Sequence, residues 1–125
     1  MVVTGLVLAG LAALVHVYIF WLESVAWTTP RARAIFGTTE DEARVTRALA
    51  YNQGFYNLFL AVAVVIVLVA VGQLAVGATL VLVGAGSMVA AALVLVLSDR
   101  SKASAARTQG LLPLLGVVAL VVGLV

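Results

Sequence analysis

The chain has no cysteine, one histidine and two prolines in 125 residues, and only 10% of its residues are charged. Without cysteine there is no disulfide frame, no iron–sulfur cluster and no thiolate zinc site, and the redox compartment is unreadable. An ordinary soluble domain carries about 25% charged residues, so the scarcity of charge excludes that class. Aromatics are scarce in the second half. All nine fall between Tyr18 and Phe59, leaving everything after Phe59 without one. What remains is hydrophobic: 65% of the residues, with a mean hydropathy of +1.25, which is the composition of a membrane protein. The isoelectric point of about 9.5 does not point to nucleic acid, because the net charge is only +2 and the basic residues sit in two short segments. No nucleic-acid partner is expected. Arginine outnumbers lysine six to one amid alanine, valine and glycine, a bias typical of a high-GC bacterial genome.

A helix crosses about 30 Å of hydrocarbon with about 20 apolar residues. Four stretches meet that length: Val2–Leu22, Ala48–Val71, Leu74–Leu97 and Ala105–Val125. None alternates apolar and polar residues at period two, so an outer-membrane barrel is not supported. The first stretch does not read as a signal peptide, since it lacks a basic start and a small-residue cleavage site. The sequence predicts one all-α domain over residues 1–125, an integral membrane four-helix bundle.

Arg31, Arg33, Arg44 and Arg47 lie in the first connection, about residues 24–47, and Arg100, Lys102 and Arg107 lie in or beside the third, residues 99–104. The Gly72–Gln73 link and both ends have no basic side chain. The positive-inside rule therefore places both loops in the cytoplasm and both termini outside, in a bacterial cytoplasmic membrane.

The first loop carries its own punctuation. Thr29-Pro30 offers an N-cap with a first-turn proline and Gly37 a stop, predicting a short interfacial helix over Pro30–Phe36. Thr39-x-x-Glu42 reads as a capping box, so the second long helix starts near Glu40 and projects about two turns into the cytoplasm. Glu40, Asp41 and Glu42 suit the positive end of its dipole, and Glu40 and Arg44 form a supporting pair four residues apart.

At about 100° per residue, Gly5, Ala9, Ala13, His16, Phe20 and Glu23 share one face of the first helix. Its outer half is small, as close helix packing requires. Its inner half carries the single histidine and an acid. The second helix adds Asn52, Gln53, Tyr56 and Asn57, and the fourth adds Gln109 at a similar depth, just before Pro113, which should kink that helix. Polar groups at membrane depth must pair, so this layer is expected in the cytoplasmic half of the bundle. Two readings stay open: structural glue between helices, or a ligand or catalytic pocket opening to the cytoplasm. His16 and Glu23 stand seven residues, about 10 Å, apart on the helix, too few and too distant for a metal site. No cofactor is expected. In the third helix Gly84, Ser87 and Ala91 form a small stripe suited to helix packing. Tyr18, Trp21, Trp27 and Tyr51 suit the cytoplasmic interface.

The segments His16-x-Tyr-Ile-Phe-x-Leu-Glu23, Trp27, Pro30, Phe36-Gly37, Asn52-Gln-Gly-x-Tyr56-Asn57 and Gln109…Pro113 resemble the small bacterial membrane family called domain of unknown function 1304. That resemblance implies a four-helix membrane protein and no established activity. The residues favour a small accessory or binding subunit docked in a larger membrane assembly, such as one handling lipids, with membrane lipids and other integral membrane subunits as partners. The alternatives are a membrane enzyme or ligand-binding protein using the His16/Glu23 pocket, and a transporter resembling the small multidrug resistance family. Glu23 lies at the end of its span, away from the midplane where a transporter's coupling site is expected.

Overall fold

The computed structural model describes residues 1–70 and 74–125, with the side chains of all but 66–74. The Gly72–Gln73 link and the end of the second span at Val71 lie outside the described residues. Five α-helices follow in order: α1 (Val2–Phe20), α2 (Pro30–Phe36), α3 (Glu40–Ala70), α4 (Leu74–Ser98) and α5 (Ala103–Leu124). Four are long and apolar enough to cross a membrane. No strand occurs among the described residues.

The helices form a ring in which α1 packs on α3 and α5, and α4 closes the other side against the same two. The α1–α5 seam is antiparallel and very close, because small residues meet along it. A methyl added at Gly5 would stand 2.7 Å from the Leu120 nitrogen; at Gly116, 3.1 Å from the Ala9 nitrogen; at Gly123, 2.6 Å from the Val2 nitrogen. Here backbone touches backbone, the small-xxx-small solution available where lipid supplies no hydrophobic drive. The α4–α5 pair repeats it at Gly110, where a methyl would meet the Ala92 side chain at 2.6 Å.

The interior is correspondingly small, built of Ala9, Ala12, Ala13, Ala61 and Ala78 with Val64, Val81, Met88 and Leu120. The large side chains point outward instead. Leu14, Leu49, Val83, Leu93, Val94 and Leu97 are all more than half exposed. A soluble monomer does not tolerate apolar surface on that scale, whereas a bilayer solvates it.

The first connection is built as its punctuation predicts. Thr29 Oγ1 accepts from Ala32 N–H at 3.3 Å and donates to the Ala26 carbonyl at 2.7 Å, capping α2 ahead of Pro30. Gly37 ends α2 at φ +64°, the left-handed conformation that glycine adopts without steric cost. The Thr39–Glu42 box closes in both directions: Thr39 N–H donates to Glu42 Oε2 at 2.8 Å, and Glu42 N–H to Thr39 Oγ1 at 3.2 Å. Glu40 pairs with Arg44 at 3.4 Å and with Arg33 at 3.9 Å. Trp27 then pins the loop onto α3, donating from Nε1 to Thr46 Oγ1 at 3.2 Å and packing on Phe36 at 5.1 Å between ring centroids.

One feature is absent from the sequence reading. The first helix does not stop at the end of its span but widens into a π-turn over Trp21–Val25, closed by the Ala26 N–H to Trp21 carbonyl bond at 3.0 Å. Such widenings insert one residue into a helix and occur often at functional sites.

Candidate functional site

The π-turn carries Glu23. It lies over Gly54 of α3, whose missing side chain makes room for the Phe20 carbonyl and the Glu23 Cβ. Any other residue at 54 would run into Ser24, which donates from Oγ to the Tyr51 carbonyl at 2.9 Å across the same gap. With the helices this close, Asn57 Nδ2 reaches Glu23 Oε2 at 2.8 Å and also donates to the Gln53 carbonyl at 3.3 Å. Glu23 is buried. One acid and one amide from two spans thus make a direct link.

His16 is fully buried on the same face of α1. Its Nδ1 bonds the Ala12 carbonyl of its own helix at 2.9 Å. A carbonyl only accepts, so Nδ1 carries the proton. The bond holds the imidazole along α1, and neither Asn57 nor Tyr56 is its partner.

The other members of the predicted layer go elsewhere. Asn52, Gln53 and Tyr56 are exposed on the outside of α3. The reason is the helix's buried stripe, Ala50, Gly54, Ala61 and Val64, which lies about 90° around the helix from the centre of the polar arc. Only Asn57 falls where the two overlap. The α1 face is different: Gly5, Ala9, Ala13, His16 and Glu23 are all buried. On α4, Gly84 is buried against Val64, while Ser87 and Ala91 are exposed; the stripe facing the bundle is Ala78, Val81, Ala85, Met88 and Ala92. Among the described residues no three side chains of metal-binding type come together.

Gln109 lies apart from the Glu23–Asn57 link, in the wall of a cavity of about 640 Å³ between α1, α2 and the start of α5. The α1 side is Val15, Tyr18, Ile19 and Leu22; the α2 side is Ala34, Ile35, Phe36 and Gly37. Ser101, Lys102, Ser104, Ala105, Thr108 and Gln109 complete it. Small-ligand sites range over about 300–1,000 Å³ and combine apolar walls with a few polar groups, as this one does. Lys102 sits at its mouth and donates from Nζ to the Phe36 carbonyl, tying α5 to the last turn of α2. At the far end Pro113 has no N–H, so the Gln109 carbonyl lacks its α-helical partner. Arg31 covers the outer face of Tyr18, 5.7 Å from the ring centroid.

The sequence groups Gln109 with Glu23 and Asn57 in one polar layer, whereas in the structure it lines this cavity instead, with Tyr18, Lys102, Ser104 and Thr108, which the sequence does not assign to a pocket. The signal was there in part. Val15, Tyr18, Ile19 and Leu22 are spaced i, i+3, i+4, i+7, a coherent face of α1 beside the polar one. That α2 folds back over this face is a tertiary fact with no local signature.

A family model described as protein of unknown function (DUF1304) matches residues 10–121. The chain belongs to that family. No curated protein and no solved structure matches it.

Proposed function

We propose that this chain is a small lipid-binding accessory subunit of the bacterial cytoplasmic membrane, with both termini outside and the cavity beneath α2 holding a membrane lipid. The observation that carries this reading is the cavity itself. Its walls are apolar along α1 and α2, its polar groups gather at Lys102 and around Gln109, and the short helix α2 forms one side of it. Docking to a second membrane subunit is supported by α4, which turns Gly86, Ser87, Ala90 and Ala91 away from the bundle. A methyl at Gly86 would meet nothing within 4 Å, so a foreign helix can approach closely there.

Purification in a mild detergent, followed by mass spectrometry of both lipids and proteins, tests the reading. Wild-type protein should retain lipid at near-equimolar ratio and recover a stoichiometric membrane partner. Ala105→Trp fills the cavity and should cut the retained lipid at least fivefold. A lipid-free wild-type monomer would sink the proposal.

The orientation is tested separately, and the cysteine-free sequence makes that clean. Ser101→Cys should react with a membrane-impermeant maleimide only after spheroplasts are permeabilised, and Val125→Cys should react in intact spheroplasts. The reverse pattern would invert the topology.

A further inference from the structure

We propose that the cavity beneath α2 selects a phosphate-bearing amphiphile, with the phosphate held by Lys102 and the chains lying along the Val15–Ile19 wall. This rests on the lipid-binding reading and names the ligand class it requires.

Among the described residues, Lys102 is the single charged one lining the cavity, and no acid lines it. One of its three N–H donors goes to the Phe36 carbonyl, which leaves two for a ligand. That bond also fixes the ammonium: a methyl at Gly37 would stand 3.2 Å from Nζ, so the left-handed glycine is what lets Lys102 lie against the end of α2. The field of Lys102 also reaches Glu42 and Asp99, but both carboxylates are engaged elsewhere. Glu42 closes the capping box with Thr39, and Asp99 accepts from the Ser101 N–H at 2.9 Å. Ser104 enters the hydrogen-bond network through its carbonyl, which accepts from Thr108 at 3.0 Å, so its hydroxyl remains available at the rim.

The dimensions fit the same ligand. From Lys102 to Gln109 is seven residues of helix, about 10 Å, and the α1 wall from Leu22 to Val15 has equal length. A phosphate at Lys102 places the ester linkages about one helical turn deeper, beside Ala105 on α5 and Ile19 on α1. The apolar chains then pass Tyr18 and Val15 on α1, and Thr108 and Gln109 on α5, toward the bilayer centre. A neutral lipid offers the ammonium only uncharged oxygens, whereas a phosphate gives it charge-assisted bonds of roughly twice the strength.

The test is a titration of the protein in dodecyl maltoside micelles, read by thermophoresis, with dioleoyl phosphatidate, dioleoylglycerol and inorganic phosphate as separate probes. Phosphatidate is expected to bind at least tenfold tighter than dioleoylglycerol. Lys102→Gln keeps a donor for Phe36 and should reduce that preference to under threefold, while Lys102→Arg keeps most of it. The fluorescence of Trp27, packed on Phe36, should be unchanged in both variants, showing that α2 stays docked. Equal binding of the two lipids, unaffected by Lys102→Gln, overturns phosphate selection. Inorganic phosphate binding as tightly as phosphatidate also overturns it, by showing that the chains contribute nothing. If Ala105→Trp binds phosphatidate as well as wild type, the lipid-binding reading itself fails.

Discussion

Gly5→Ala is expected to destabilise the bundle by on the order of 3 kcal/mol, although the same substitution usually strengthens a helix. Alanine is better than glycine by about 1 kcal/mol in a helix interior, through the smaller backbone entropy lost on folding. At Gly5 the new methyl would stand 2.7 Å from the nitrogen and 2.9 Å from the Cα of Leu120. Both are backbone atoms and cannot rotate away. The helices must separate, and the contacts at Gly116 and Gly123 along the same seam loosen together. Overpacking of this kind typically costs about 1–3 kcal/mol beyond the propensity gained, and the rigidity of the seam puts Gly5 at the upper end. Gly86→Ala is the control, since its methyl meets nothing within 4 Å. It should be neutral or stabilising by about 0.5–1 kcal/mol. Reversible unfolding in mixed micelles of dodecyl maltoside and dodecyl sulfate, followed by fluorescence of Trp21 and Trp27, measures both. If the two variants shift the midpoint alike, close approach at the α1–α5 seam is not what holds the bundle.

How far a sequence of this kind can be read depends on which forces act locally. The spans were legible because a long apolar run has one solution in a bilayer. The loop helix was legible because Thr29, Pro30, Gly37, Thr39 and Glu42 each fix a backbone conformation within a few residues: α2 begins and ends, and α3 begins, where those residues say. The packing face of α1 was legible because Gly5, Ala9, Ala13 and His16 contrast with leucines on its other sides. On α3 the same method failed. There polarity does not mark the interior: Ala50, Gly54 and Ala61 set it, and Asn52, Gln53 and Tyr56 lie outside it. In a membrane bundle the smallest residues mark the contact, because close backbone approach gives the most dispersion energy. Polar residues near the interface can remain solvated by headgroups. The π-turn and the cavity were not legible. One depends on α1 fitting over Gly54, the other on α2 folding back onto α1 and α5, and neither contact is encoded near its own position in the chain.

The Glu23–Asn57 link is expected to behave as structural glue, which a double-mutant cycle can establish. Asn57→Leu alone removes the amide that donates to Glu23 Oε2 at 2.8 Å and leaves the carboxyl buried without that partner. Losing one member of a buried hydrogen-bonded pair exposes the other's desolvation penalty, so the single variant should lose about 1–3 kcal/mol. Glu23→Met together with Asn57→Leu removes both polar groups and restores an apolar contact of similar volume. Replacing both partners at once is often close to neutral, so the double variant should recover most of that loss and stay within about 1 kcal/mol of wild type. The side chains also lie away from the cavity, whose α1 wall includes Leu22 and Ile19 but not Glu23. Lipid retention by the double variant should therefore match wild type. The same micelle unfolding gives the stability terms, and mass spectrometry of retained lipid gives the other. A double variant that folds as stably as wild type yet retains no lipid would show that Glu23 and Asn57 act on the ligand, and would move the functional centre from the cavity beneath α2 to the α1–α3 contact.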